Sequence, residues 1–346
     1  MNSLKFILKP LQLIYWILIN LRNQMYSTGF FKIYKSSKKV ISVGNLSMGG
    51  TGKTPMVEYL IRLIGENNVG VLSRGYGRKT NDFIVANKKI HSSSNLGDEC
   101  NMLINKFDKI TLACDTNRVN GIKKLTEHNK FLKTIILDDG YQHRSLFRDI
   151  NILLTEMNDL FIDDKLIPIG RLREPRCEKK RADIIVVTKC KRDIEKNNIK
   201  SIENKLRINS KQKIYFSYIS KYNFIESNSN GLYKIDENQK YLLITGFEKT
   251  AELVNHLNEI NLNFVHLKFK DHYDFKEKNI DFFIKKLHKL KNCKSILLSE
   301  KDYFRISDKL LNKLRKVAKI VIVQIEFDFI YDDKQAFNNQ ILKLVK

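Results

Sequence analysis

A parallel α/β sheet with helices on both faces, followed by a second and smaller α/β unit, is the fold class this sequence predicts. Three observations carry it. Apolar, β-branched runs alternate with helical stretches; one of those runs delivers a glycine-rich loop to a helix; and the alternation pauses near residue 212 and restarts near 241. Strands that alternate with helices pair side by side in parallel, because each helix returns the chain across one face of the sheet. The first unit reads as strands at 40–44, 69–73, 109–113, 134–138, 151–155 and 184–188, with helices at 53–64, 98–106 and 116–128. Two strand-like runs, 213–226 and 231–235, flank a Ser-Asn-Ser-Asn stretch and predict a two-stranded hairpin that joins the units. Beyond it come strands at 241–245, 264–267, 295–298 and 320–324, and helices at 248–259, 276–290, 307–317 and from 334. The predicted organisation is an N-terminal segment over 1–36, a first domain over 37–212, a linker over 213–236 and a C-terminal domain over 237–346. A length of 346 residues fits two cores better than one.

The N-terminal segment is apolar over 4–21, with Tyr15 and Trp16 suited to a headgroup boundary, but Lys5, Lys9, Pro10 and Gln12 interrupt it. A bilayer span needs roughly 20 apolar residues, so this run is too short and too broken. No small-residue cleavage site follows, as a signal peptide requires. The two readings left are a helix lying in the membrane interface and a helix buried in the protein. Arg22, Lys32, Lys35, Lys38 and Lys39 beside it favour the interface, since basic residues near an anionic leaflet contribute about 1 kcal/mol each.

Net charge is +24, from 62 Lys and Arg against 38 Asp and Glu, which favours anionic partners: nucleic acid, acidic lipid or a phosphorylated substrate. Many of the lysines lie in Lys, Asn and Ile-rich stretches and need no ligand to explain them. The five cysteines are odd in number, widely spaced and without a C-x-x-C pair, as in a reducing compartment. The histidines show no zinc-ligand spacing, so any metal should be Mg²⁺ arriving with a nucleotide.

Chemistry concentrates in the loops after the strands. Residues 43–55 read Val-Gly-Asn-Leu-Ser-Met-Gly-Gly-Thr-Gly-Lys-Thr-Pro, a strand feeding a phosphate-binding loop and then a helix. The strict template has Gly where this chain has Ser47. Gly49, Gly50, Thr51 and Gly52 let backbone N–H groups gather on an anion, Lys53 supplies charge, and the Thr54 hydroxyl suits Mg²⁺. The first domain is therefore expected to be P-loop NTPase-like. The strand at 134–138 ends in Asp138 and Asp139, candidates for holding Mg²⁺. Arg74, Arg78 and Lys79 follow another strand, and Tyr141-Gln-His-Arg and Arg173, Glu174 and Arg176 stand in two more loops. Asp98 opens a helix, where it could answer the helix dipole or accept a hydroxyl proton. His272, in Asp-His-Tyr-Asp-Phe over 271–275, could assist such a base across the cleft between domains. Guanine-reading N/T-K-x-D is not matched, since Lys191 follows Thr188-Lys189-Cys190; ATP is the expected nucleotide.

Taken in order, these motifs resemble the tetraacyldisaccharide 4'-kinase family, the lipid A 4'-kinases. The matching pieces are the loop at 43–55, Leu-Ser-Arg-Gly-Tyr-Gly-Arg at 72–78, Gly-Asp-Glu at 97–99, Asp115 with Arg118, Leu-Asp-Asp-Gly-Tyr-Gln-His at 137–143, Leu-Arg-Glu-Pro at 172–175, Phe-Lys-Asp-His-Tyr-Asp-Phe at 269–275 and Ser-Glu-Lys-Asp at 299–302. Ser47 looks like the family's own loop variant. Thr-Gly-Phe-Glu-Lys at 245–249 departs from the more usual Ala-Gly-Ile-Gly, and Ser299 stands for the commoner Thr.

The resemblance implies transfer of the γ-phosphoryl group of ATP to the 4'-hydroxyl of a tetraacylated disaccharide 1-phosphate at the cytoplasmic face of the inner membrane. It implies phosphate and Mg²⁺ binding by Lys53 and Thr54, metal handling by Asp138 and Asp139, Asp98 as general base with His272 as partner, and site positions for Arg118 and Glu174, the latter as a further metal ligand. A lipid-linked disaccharide and the membrane surface are the expected partners, with a monomer and no nucleic acid. The rival readings are a P-loop ATPase acting as a membrane-associated switch or assembly factor and a basic nucleic-acid-dependent NTPase.

Overall fold

The computed structural model describes residues 2–229 and 231–345, with side chains from residue 8 onward; Lys5, which interrupts the apolar N-terminal run, lies outside those side chains. The elements are α1 (Asn2–Ser27), β1 (Lys39–Asn45), α2 (Lys53–Ile64), β2 (Val69–Ser73), β3 (Ile84–Val85), α3 (Ser93–Leu96), α4 (Asp98–Lys106), β4 (Thr111–Cys114), α5 (Arg118–His128), β5 (Thr134–Asp138), β6 (Ile150–Glu156), β7 (Ile184–Cys190), α6 (Lys196–Leu206), β8 (Lys213–Glu226), β9 (Lys240–Thr245), α7 (Ala251–Glu259), β10 (Phe264–Lys268), α8 (Glu277–Lys289), β11 (Cys293–Ser299), α9 (Glu300–Arg305), α10 (Asp308–Arg315), β12 (Lys319–Phe329) and α11 (Asp333–Val345).

The twelve strands form one sheet in the order β10-β9-β11-β12-β8-β7-β6-β1-β5-β2-β4-β3. β1 sits between β5 and β6, parallel to both. Its side chains from Val40 to Asn45 are all buried, as expected of a strand covered on both faces. The chain leaves β1 toward β2 on one side while β6 lies on the other. The loop after β1 therefore occupies a topological switch point, where ligands of open α/β sheets bind.

Two blocks of parallel strands meet where β8 pairs antiparallel with β12. The predicted hairpin is present in outline only: Ile225 bridges Leu232, while the long antiparallel partner of β8 is β12. A strand of fourteen residues finds more backbone partners along β12 than a five-residue return arm offers. In the second block, Leu242, Ile244, Phe283 and Ile296 pack on one face and Tyr241, Leu243, Leu257 and Leu297 on the other. The last helix crosses back. Phe337 and Ile341 of α11 join Ile41, Val43, Leu60 and Ile152 in the core of the first block.

α1 inverts the usual arrangement of a surface helix. Its polar residues face the protein: Gln12 Nε2 donates to Leu166 O at 2.8 Å, Tyr15 Oη to Arg173 O at 2.6 Å, and Arg22 Nη2 to Gln142 O at 2.6 Å. Its apolar residues Leu11, Leu13, Ile14, Trp16, Ile17, Leu18 and Leu21 are exposed. The helix thus has one docked face and one bare apolar face. Among the described residues, no helix is long and apolar enough to cross a membrane.

Candidate active site

The loop between β1 and α2 turns through two left-handed glycines, Gly49 at φ +117° and Gly52 at φ +85°. A Cβ at Gly49 or Gly50 would meet nothing within 4 Å, so an anion can come up to this backbone. The first N–H groups of α2, at Lys53 and Thr54, point the same way with no carbonyl inside the helix to receive them. The loop is braced from below. Asn45 Nδ2 donates to Thr51 Oγ1 at 2.8 Å, and Thr188 Oγ1, at the end of β7, donates to Thr51 O at 3.0 Å.

Asp138 closes β5 and is buried, with Ser73 Oγ donating to its Oδ2 at 3.1 Å. Burial first, then the charges of Asp139 and Glu99, push its carboxyl up to about 6 against the pull of Lys53 and Ser73. Asp139 follows in the left-handed region at φ 51°, a cost for a non-glycine residue that turns its carboxylate toward the loop. Arg173 grips it with two hydrogen bonds, of 2.9 and 2.8 Å, and Lys53 Nζ lies 3.8 Å away. Although burial works against it, Lys53 and Arg173 hold this carboxyl far below the ordinary range. Arg118 is buried behind the pair, its Nη2 donating to Asp138 O at 3.4 Å and its Nη1 to Asp115 O. His143 is pushed down to about 3, by burial and then by Arg118, and so stays neutral.

Asp98 starts α4. Gly97 before it sits at φ +84°, and a Cβ there would come within 2.4 Å of Tyr76 O, so only glycine lets the 72–78 loop press on this helix end. The second block reaches over to the same residue. His272 Nδ1 lies 2.8 Å from Asp98 Oδ2, as a hydrogen bond, and Arg305 Nε donates to that oxygen at 2.9 Å. Burial raises the Asp98 carboxyl, but His272 and Arg305 outweigh it and hold it at about 2. His272 is itself in the left-handed region, at φ 54°, with its ring 5.3 Å from that of the exposed Tyr76.

Lys53, Thr54, Asp138, Asp139 and Arg118 thus gather around the loop after β1, and Asp98 and His272 meet across the two blocks. Glu174 stands apart. It is fully buried, one oxygen accepting from Asn23 Nδ2 at 3.2 Å, the other from Gln142 Nε2 at 3.2 Å and from Arg181. Both oxygens help tie α1 and the 172–181 segment together, away from solvent. Other basic residues of the loops serve backbone: Arg78 holds Asn81 O and Asp82 O, Arg144 holds Asn23 O, and Arg176 holds Asp164 O. Sequence reasoning missed Arg305 and Thr188. The signal for Arg305 was its place three residues after Asp302, one helical turn past the 299–302 motif.

A family model described as Tetraacyldisaccharide-1-P 4'-kinase matches residues 4–346. The chain is 36% identical over 348 residues to a tetraacyldisaccharide 4'-kinase of Phocaeicola vulgatus, covering 98% of this chain and 94% of the relative. It is 36% identical over 348 residues to one from Flavobacterium johnsoniae (100% and 98%) and 40% identical over 315 residues to one from Flavobacterium psychrophilum (90% and 90%). Among solved structures, an "apo" form LpxK from Aquifex aeolicus in complex with ATP superposes with a TM-score of 0.78 at 26% identity, covering 99% of this chain and 100% of that one.

Proposed function

The chain belongs to the tetraacyldisaccharide 4'-kinase family, and from that premise we propose how its own residues carry out the reaction. The protein is an ATP-dependent kinase of lipid A biosynthesis that phosphorylates the 4'-hydroxyl of tetraacyldisaccharide 1-phosphate. The backbone N–H groups of Gly49, Gly50 and Gly52 and the Lys53 ammonium bind the β- and γ-phosphates, while the Thr51 N–H shapes the loop by donating to Gly49 O at 3.1 Å. Asp98 orients the acceptor hydroxyl and takes its proton as that oxygen attacks the γ-phosphorus, while the bond to the β-phosphate oxygen breaks and ADP leaves. Such transfers leave little covalent work for the protein, so positioning and charge neutralisation carry most of the catalysis. Arg118 supports the Asp138 backbone and adds positive potential.

Thr54, Asp138 and Asp139 form a hard-oxygen donor set that fits Mg²⁺. The raised Asp138 carboxyl, buried beside a second carboxylate, is a group that a cation would relieve. Thr54, Asp138 and Asp139 would hold Mg²⁺, which would supply charge neutralisation to the triphosphate. Glu174 is left out of this set because its carboxylate is fully buried, whereas that of Asp139, though held by Arg173, is 35% exposed beside Lys53.

The substrate's acyl chains and the bare face of α1 argue for an enzyme that works at a membrane surface, the cytoplasmic face of the inner membrane, as a peripheral monomer. A cavity of about 430 Å³ between α1 and the 164–176 loop, lined by Leu13, Trp16, Leu166 and Arg176 among others, lies beside that face.

The observation that carries the assignment of roles is the 2.8 Å contact between Asp98 and His272, which brings a carboxylate and its partner together from the two blocks. The test incubates the protein with γ-labelled ATP and the disaccharide lipid, with and without Mg²⁺, and with nucleic acid in a separate arm. Label is expected in the lipid, only with Mg²⁺ and without nucleic-acid stimulation. Hydrolysis of ATP with no label in the lipid would favour an ATPase switch and overturn the reading.

A further inference from the structure

The geometry points to Arg305 as the positioning residue of the proton acceptor: it fixes one oxygen of Asp98 from the second block and leaves the other to face the acceptor hydroxyl. This rests on the functional reading above and adds a residue and a division of labour to it. Three contacts converge on Asp98 Oδ2. His272 Nδ1 lies 2.8 Å away, Arg305 Nε donates at 2.9 Å, and Arg305 Nη2 adds an ion-pair contact at 2.8 Å. Oδ2 is therefore saturated, and Oδ1 is the oxygen available for new chemistry.

Arg305 is itself held in place. Its side chain is 5% exposed, and Nη1 donates to Gly246 O at 2.9 Å and to Asp302 Oδ1 at 3.1 Å. Asp302 Oδ1 in turn accepts from Gly246 N at 3.0 Å, and Ser299 caps the helix by accepting from Asp302 N at 3.1 Å. The 299–302 motif is thus the base of a clamp whose tip is Arg305. It joins the end of β9, the start of α9 and the start of α4 in one hydrogen-bonded chain. A carboxylate gripped through one oxygen by a planar guanidinium has its plane fixed more firmly than one held by histidine alone. Transfers of this kind lose about 100-fold for a displacement near 1 Å, which is the scale on which a loosened carboxylate moves.

The charges that face Asp98 come from every element around it: His272 and Arg305, Lys301 of α9, and Glu99 of α4, which pairs with Lys301 at 2.8 Å. Asp271 Oδ2 lies 3.8 Å from His272 Nε2, and Asp302 backs Arg305. Burial is the largest influence raising the Asp98 carboxyl, so removing the guanidinium leaves that influence less opposed.

The test compares wild type, Arg305→Gln, Arg305→Lys, Asp98→Asn and the double variant Asp98→Asn with Arg305→Gln. Arg305→Gln is expected to lower kcat by roughly 30-fold or more while KM for ATP stays within about threefold. The Asp98 carboxyl, followed by carbon-13 NMR, should titrate higher than in wild type. Arg305→Lys should recover part of the loss. On the Asp98→Asn background, Arg305→Gln should add little, because the two act as a unit. Wild-type label in the lipid with kcat of Arg305→Gln within about threefold of wild type would overturn the proposal, as would full additivity or an unmoved Asp98 titration. A wild type that leaves the lipid unlabelled would overturn the functional reading, while the NMR titration would still report on the clamp.

Discussion

Asp98 sits at a helix start, under one guanidinium and one imidazole, and the two consequences of that placement are separable. As a proton acceptor it is expected to contribute about 10²- to 10⁴-fold, so Asp98→Ala should lower kcat by that factor with little change in KM for ATP; turnover within about threefold of wild type would exclude the role. As a charged group its folded carboxyl stands at about 2, below the ordinary 3.8. A lowered carboxyl stabilises the fold above its unfolded value and loses that contribution as pH falls toward the folded one. On the order of 2 kcal/mol should therefore disappear between pH 4 and pH 2 or so, and Asp98→Asn should flatten acid denaturation in that window. A wild type and variant with parallel acid unfolding curves would contradict it. Much of this site was legible from residue type and spacing. The glycine loop with Lys53 and Thr54 and the carboxylate pair at a strand end carry local signals, whereas Asp98 with His272, 174 positions apart, followed from the family resemblance. Arg305 meets Asp98 across 207 positions of sequence, and no local pattern reports such a pairing. The setting of Glu174 was equally hidden: Leu-Arg-Glu-Pro reads as a ligand loop, and in three dimensions Asn23 of α1, Gln142 and Arg181 surround its carboxylate.

At the scale of elements, α1 makes the sharpest prediction. Its inward stripe is polar and its outward stripe apolar, with Leu11, Ile14 and Leu18 more than half exposed. An apolar stripe that faces away from the core has its natural counterpart in acyl chains, and each such side chain moved out of water is worth about 1.5 to 3 kcal/mol when fully buried. Replacing Leu11, Ile14 and Leu18 by serine should lower the affinity for anionic vesicles by about 100-fold, even with each contact only partly buried, while the melting midpoint stays close to wild type. Unchanged co-sedimentation would remove the membrane role from this helix. Deleting 1–21 is a poorer test, because Gln12 and Tyr15 hold the 166–173 loop from inside. Elements with strong periodicity were legible. The sequence-predicted helices 53–64 and 98–106 match α2 and α4, and the strands of the first block fall within a few residues of expectation. The short α9 and the pairing of β8 with β12 were not. A helix of one and a half turns has almost no periodicity to read, and strands a hundred positions apart choose each other by packing.

For the whole molecule, the question is what joins two blocks of strands so that Asp98 and His272 stay within hydrogen-bond reach. One continuous sheet does part of it, through β8 and β12. α11, packed into the first block, and the hydrogen bond from Asn101 Nδ2 to Phe304 O at 2.8 Å add to it, and so do ion pairs. Lys301 meets Glu99, Lys249 meets Glu156 and Asp159, and Lys106 of α4 lies 2.7 Å from Glu58 of α2 and 2.8 Å from Glu300 of α9. The first two are partly exposed and of modest worth. The third is different, since Lys106 and both its partners are about nine-tenths buried. Burial and the charge of Glu58 raise the Glu300 carboxyl, and Lys106, with a smaller part from Arg62, opposes them. Such a triad need not be more stable than an apolar replacement of the same volume, but losing its cation leaves Glu300 buried with only the neutral Gln324 beside it and Glu58 with only the half-exposed Arg62. Lys106→Met should therefore cost about 3 to 5 kcal/mol, read as a lower denaturant midpoint with an unchanged slope. Adding Glu300→Gln should restore part of it. The deficit should also narrow as pH falls, because a Glu300 with a raised carboxyl accepts a proton early and relieves the repulsion. Equal losses at neutral and mildly acidic pH, or no rescue by the second substitution, would show that Lys106 acts through packing of its stem and that the charges at this junction are incidental to holding the blocks together.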